Sequence, residues 1–188
     1  MAEEWIGNWK RKKREIKYEN PWIKIYHDEV VNPNGGEGIY GVVDFQNTAI
    51  GVIPIDENGN TWLVGQHRYP LNTYTWEIPE GGGPIGTDPR ESALRELEEE
   101  IGYSAKSLVE IQRMQLSNSA TNEEAIMYVA TDLFPSRQAP DPTEDLQIEK
   151  IPVLEAIDRV LKGEITDSMS VAGLLKLKIL LDSGEFKL

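Results

Sequence analysis

A chain of 188 residues with a net charge of −13 and no cysteine has room for one domain plus an extension, or two small domains. Disulfides, thiolate nucleophiles and zinc–sulfur sites are excluded, and the acidic balance argues against a nucleic-acid partner, which needs a basic face. With 39% apolar and 27% charged residues the composition is globular rather than disordered, and no apolar run approaches the ~20 residues of a bilayer span.

Residues 1–8 lack the pattern of a signal peptide, so the expected setting is cytoplasmic, without a membrane partner. Residues 4–45 read as an extension rich in short strands. Its basic cluster, Lys10-Arg11-Lys12-Lys13-Arg14, reads as a solvated strand or loop rather than a phosphate-binding arm. Strands are expected over 22–26 and, after the turn at Asn34-Gly35, over 39–43. Residues 48–55 and 61–68 flank an Asn58-Gly59 turn and form a hairpin, and 73–78 is a further strand ending at Pro79. The glycine-rich run 81–86 is expected to be a loop.

A helix over 88–101 follows, with Asp88 as N-cap, Pro89 in the first position, Glu91 completing a capping box and Gly102 as the left-handed stop. Strands over 108–116 and 125–133 come next, then an acidic, proline-bearing loop over 135–144. Two amphipathic helices, Val153–Leu161 and 170–181, end at Gly163 and Gly184. Strands and helices alternate irregularly, which points to an α/β (α+β) fold rather than a doubly wound sheet.

On a helical wheel at about 100° per residue, Ala93, Leu94, Leu97 and Ile101 share a core-facing side. Glu96, Glu99 and Glu100 occupy an adjoining arc, while Arg95 and Glu98 point elsewhere. Carboxylates at spacings of three and four repel one another unless a cation lies between them. Hard divalent cations take oxygen ligands, and an acidic protein acting on an anionic substrate needs such a cation. The acids lie beside the apolar seam rather than opposite it, and a glycine-rich run leads straight into their helix.

Gly81, Thr87 and then Arg95-Glu96-Leu97-Glu98-Glu99-Glu100-Ile101-Gly102-Tyr103 resemble in spacing the Nudix box, G-x5-E-x7-R-E-U-x-E-E-x-G-U. Thr87 stands in place of the first box glutamate and Tyr103 in place of an aliphatic residue, so a different partner for Arg95 is needed. The resemblance implies a mixed, curved sheet sandwiched between helices. It divides the chain into a β-rich extension over 1–45 and a hydrolase domain over 46–188. It implies magnesium, or manganese, held by Glu96, Glu99 and Glu100 with a backbone carbonyl at Gly81 or Gly82. Gly82 is also expected beside the substrate, and Glu99 and Arg95 among the catalytic residues. Such a cation neutralises phosphoryl oxygens and lowers the pKa of an attacking water.

Gln66-His67-Arg68-Tyr69-Pro70 and Trp76-Glu77-Ile78-Pro79-Glu80-Gly81 are similar to the Nudix subgroup that hydrolyses ADP-ribose and other nucleoside diphosphate sugars, with its pattern Q-x-R then w-E-x-P-a-G. That resemblance implies Arg68 on the substrate diphosphate, Trp22 stacked on the base, and Glu77 beside the substrate or bracing the interface of a homodimer. Glu144 is implied as the general base, with Asp145 and Glu149 as fallbacks, and Glu123 as a second acid assisting the metal. Strict ADP-ribose hydrolases carry a proline where this chain has Leu116-Ser117-Asn118-Ser119-Ala120, which favours a broader range including GDP-mannose. The competing readings are a dinucleoside polyphosphate hydrolase and a non-catalytic ADP-ribose sensor. The intact box acids argue against the sensor.

Overall fold

The computed structural model describes residues 3–137 and 145–188. They form two compact units, Met1–Thr48 with Gln115–Glu124, and Ala49–Met114 with Ala125–Leu188.

The first unit is an antiparallel sheet of β1 (Glu4–Ile6), β2 (Trp9–Glu19), β3 (Ile23–Val31) and β4 (Glu37–Phe45), in that order. The basic cluster is part of β2, and its charges are spent on neighbours. Lys12 pairs with Glu37 at 2.6 Å, and the Arg14 guanidinium grips both oxygens of the buried Asp28 at 2.7 Å while lying over the Tyr26 ring. Residues 115–124 return to this unit. There Val43 N–H donates to the Ala120 carbonyl and the Asn122 side chain accepts from Phe45 N–H.

The second unit holds two sheets. One has the order β8 (Glu80–Pro84), β5 (Asn47–Pro54), β10 (Glu124–Pro135), β9 (Tyr103–Gln115), with β10 parallel to β5. The other is antiparallel, β11 (Gln147–Pro152), β6 (Asn60–Arg68) and β7 (Thr73–Glu77). Strand β5 shows why helices cover both sides of its sheet. Its residues alternate between two cores, Ile50 and Val52 in one and Ile53 with the following Ile55 in the other. The first core takes in Ala93, Leu97 and Ile101 of the box helix. The second takes in Ala156, Ile157 and Val160 of α2 (Val153–Leu161) and Leu174 and Leu177 of α3 (Ser168–Ser183).

The expected helix over 88–101 is present in two parts. An α-helical stretch, α1 (Pro89–Glu96), runs into a π-helical turn over Leu97–Ile101, stopped by Gly102 at φ 71°. The Asp88 side chain caps α1 by accepting from Arg90 N–H. The glycine-rich run is not a loop at its start: Glu80–Pro84 is the sheet strand β8. Glycine fits there because the strand lies hard against α1. A Cβ at Gly81 would overlap the Glu96 carboxylate, and one at Gly83 would come within 2.6 Å of Ser92 Oγ.

Candidate active site

The box helix carries Glu96, Glu99 and Glu100, with Arg95 among them. Leu97 and Ile101 seat the helix in the core, leaving Glu96 and Glu100 at its edge, both nearly enclosed by protein. The long Arg95 side chain does not point away. Its Nη1 donates to Glu99 Oε2 at 2.7 Å, and its Nη2 donates to Glu96 Oε1 at 2.7 Å and to the Gly82 carbonyl at 2.8 Å. Two box carboxylates and the Gly82 carbonyl of β8 therefore already converge on one cation, a guanidinium. This answers how Arg95 is balanced without a box glutamate at position 87. Thr87 instead closes its own turn, donating from Oγ1 to the Pro84 carbonyl at 2.7 Å.

Glu100 is oriented from the strand side, where Glu80 N–H donates to its Oε2 at 3.1 Å. The donors gathered here are carboxylate and carbonyl oxygens, the set that magnesium and manganese take, so the residues fit a divalent cation.

Beside the box lies a second charged cluster. Arg68, at the end of β6, donates from Nε to both oxygens of Glu77 at 3.0 Å and from Nη2 to Glu77 Oε2 and to Glu80 Oε1, the latter at 2.7 Å. Carboxylate oxygens of Glu77, Glu80 and Asp167 lie within 4.8 Å of one another, and the guanidinium is paired with the first two of these acids. Burial works against the Arg68 charge, but the bonds from Glu77 and the negative charges of Glu80, Glu77 and Asp167 outweigh it and raise its pKa. Burial, then the charges of Asp167 and Glu77, push the Glu80 carboxyl well above the usual carboxylate range. Glu80 Oε2 is buried with no hydrogen-bond partner among the described residues.

Trp22 and Glu123 belong to the first unit. Trp22 is 63% exposed just ahead of β3, in a turn where Asn20 Oδ1 accepts from its N–H at 2.9 Å. Burial raises the pKa of Glu123. Glu144 lies outside the described residues. Of its fallbacks, Glu149 is committed to Arg159 at 2.6 Å and 2.8 Å, while Asp145 is exposed. Glu80, Asp167 and Ser170 went unnoticed in the sequence reading. The signal for Glu80 was available, since it stands where the flanking pattern takes a small residue.

Residues 46–169 match the NUDIX domain family, a span that takes in the whole box and Arg68. The chain belongs to the Nudix family. As a Nudix hydrolase it acts on a pyrophosphate bond. Residues 9–43 match a second family, the nucleoside diphosphate sugar hydrolase N-terminal domain. The chain is 32% identical to the ADP-ribose pyrophosphatase of Mycobacterium tuberculosis over 80% of its own length and 74% of that protein's. It is 29% identical to the ADP-ribose pyrophosphatase of Bacillus subtilis, covering 84% and 85% of the two chains. With the methanol dehydrogenase activator of Bacillus methanolicus the identity is 32% over the same shares. The crystal structure of an ADP compounds hydrolase superposes on this Nudix protein with a TM-score of 0.82 at 20% identity, covering 92% and 93% of the chains, which shows the common fold.

Proposed function

We propose that the protein is a magnesium-dependent nucleoside diphosphate sugar hydrolase, cleaving substrates of the ADP-ribose and GDP-mannose type to a nucleoside monophosphate and a sugar phosphate. The observation that carries this reading is the convergence of the Gly82 carbonyl, Glu96 and Glu99 on a single cationic group, with Glu100 held beside them by Glu80 N–H. The match of residues 9–43 to the N-terminal domain of nucleoside diphosphate sugar hydrolases supports the substrate class, as do the names of the relatives.

Glu96, Glu99, Glu100 and the Gly81 or Gly82 carbonyl would hold magnesium, with manganese as substitute, and Glu123 would assist. When bound, the cation neutralises the diphosphate and acidifies the attacking water. Arg95 then exchanges box carboxylates for substrate phosphate, and Gly82 lies against the substrate. Arg68 offers the diphosphate its Nη1, the guanidinium nitrogen with no bond to Glu77 or Glu80, while Glu77 keeps the fork oriented. Glu144, carried over from the family's pattern, takes the proton from the attacking water.

Trp22 stacks on the base, for which its exposure suits it. The extension over 1–45 pairs two subunits into a homodimer. In support, Trp5, Ile6, Ile16, Tyr18 and Ile39 of its sheet are all about half exposed or more. A cytoplasmic setting fits a cysteine-free chain.

The test is release of phosphatase-sensitive product from ADP-ribose, GDP-mannose, UDP-glucose, a dinucleoside polyphosphate and a nucleoside triphosphate, with and without magnesium. Turnover of the diphosphate sugars that requires magnesium, and is lost in Glu100→Gln with folding intact, is the expected result. Preference for the dinucleoside polyphosphate, or full turnover without a divalent cation, overturns the reading.

A further inference from the structure

The chain from Ile78 to Glu80 is short, buried at Ile78 and Pro79, and held from three sides. Pro79 carbonyl accepts from Val52 N–H of β5 at 2.8 Å, and Glu80 N–H donates to Glu100. The third bond comes from far along the sequence. Ile78 N–H donates at 2.9 Å to Ser170 Oγ, in the first turn of α3, where Ser170 is wholly inaccessible to solvent. That turn is fixed in its own right. Asp167 caps α3 by accepting from Ser170 N–H at 2.7 Å. Next to Ser170, Met169 packs over Gly51 of β5, where a Cβ would stand 2.9 Å from the methionine methyl group and 3.0 Å from Ile78 Cδ1. The bare glycine therefore sets how closely α3 and Ile78 approach β5. Glu80 N–H thus meets the Glu100 carboxylate, and the hydroxyl of Ser170 accepts from the chain two residues earlier.

We propose that Ser170 is a positioning residue for the divalent-cation site, acting through Ile78 and Glu80 on the carboxylate of Glu100. The proposal rests on the reading of Glu100 as a metal ligand. Groups that orient metal ligands change metal affinity about 10–100-fold when removed. Ser170 acts across one further residue pair, so the lower end, about 10-fold, is expected.

The experiment is a manganese titration of the purified protein without substrate, followed by electron paramagnetic resonance, with thermal unfolding recorded in parallel. Ser170→Ala is expected to raise the manganese dissociation constant about 10-fold, and Ser170→Thr, which keeps the hydroxyl, to stay near the wild-type value. Ser170→Cys, of similar size but a weaker acceptor, carries the same test should the alanine variant not fold. Leu177→Ala removes a buried side chain from the same helix without touching these bonds, and is expected to lower the melting temperature with unchanged affinity. An unchanged dissociation constant in Ser170→Ala, or an equal rise in Leu177→Ala, overturns the proposal. Glu100→Gln separates the two readings. If it binds manganese normally, the ligand assignment itself fails; if it loses manganese while Ser170→Ala does not, the positioning role alone fails.

Discussion

Arg68→Met removes a guanidinium from among three carboxylates and leaves its hydrocarbon stem in place. In the folded protein Arg68 bonds to Glu77 and Glu80, whose side chains are 3% and 11% exposed, with Asp167 close by. Breaking a buried ion pair by deleting one partner costs about 3–5 kcal/mol, because the other charge stays buried without compensation. Solvent reaches 34% of the Arg68 side chain, which places this site at the lower end, about 3 kcal/mol. For a chain of this size that corresponds to a fall in melting temperature of about 6–12 °C. The assay is thermal unfolding by circular dichroism at neutral pH with a chelator present, so that no divalent cation takes the place of the guanidinium. Adding Glu77→Gln to the variant removes the carboxylate that Arg68 bonded through two of its nitrogens and is expected to return about 1 kcal/mol or more, since the two positions touch. A melting temperature within about 1 °C of wild type for Arg68→Met would refute the view that this arginine neutralises the cluster.

Three further outcomes are expected. Gly81→Ala drives a Cβ into the Glu96 carboxylate, and turnover at limiting magnesium should fall about 100-fold while far-ultraviolet circular dichroism is preserved; normal turnover would show that the close approach of β8 to the box is dispensable. Leu97→Ala empties a fully buried position beneath the box and should cost about 2–5 kcal/mol in chemical denaturation, with a loss below about 1 kcal/mol contradicting the packing described. Burial works against the Asp56 carboxylate, but Lys150, Asn60 and Asn58 hold its pKa down at about 2. Its folded value lies below the unfolded one of about 3.9, so its contribution is full above that pH and is lost as pH falls toward 2. The melting-temperature difference between wild type and Asp56→Asn should therefore shrink from pH 6 to pH 2, and a constant difference would count against the pairing.

The box helix could be read from the sequence because each of its signals is local: a cap at Asp88, an apolar seam through Leu97 and Ile101, and a stop at Gly102. The π-helical turn over Leu97–Ile101 could not, since a wheel drawn at a fixed angle assumes the α-helical period throughout. Strand β8 was hidden for a related reason. Glycine in a run signals freedom when the chain is viewed alone, yet at Gly81 and Gly83 it provides closeness to α1, which only the packed structure reveals. Arg95 was read as pointing away because its Cβ does, and its reach back to Glu96 and Glu99 depends on a long flexible stem. The cluster of Arg68, Glu77, Glu80 and Asp167 joins β6, β7, β8 and the cap of α3, and no local rule brings the last of these to the first three.

The brace supplied by α3 also sets an order of events during synthesis. At roughly 5–20 residues per second, the ribosome completes the box several seconds before Ser170 leaves the exit tunnel. Until then Ile78 N–H has no hydroxyl to bond, and Leu174 and Leu177 are missing from the core that Ile53 and Ile78 share with them. A nascent chain therefore carries all of its box acids without the frame that aligns them. The frame around the box is complete only once α3 has docked.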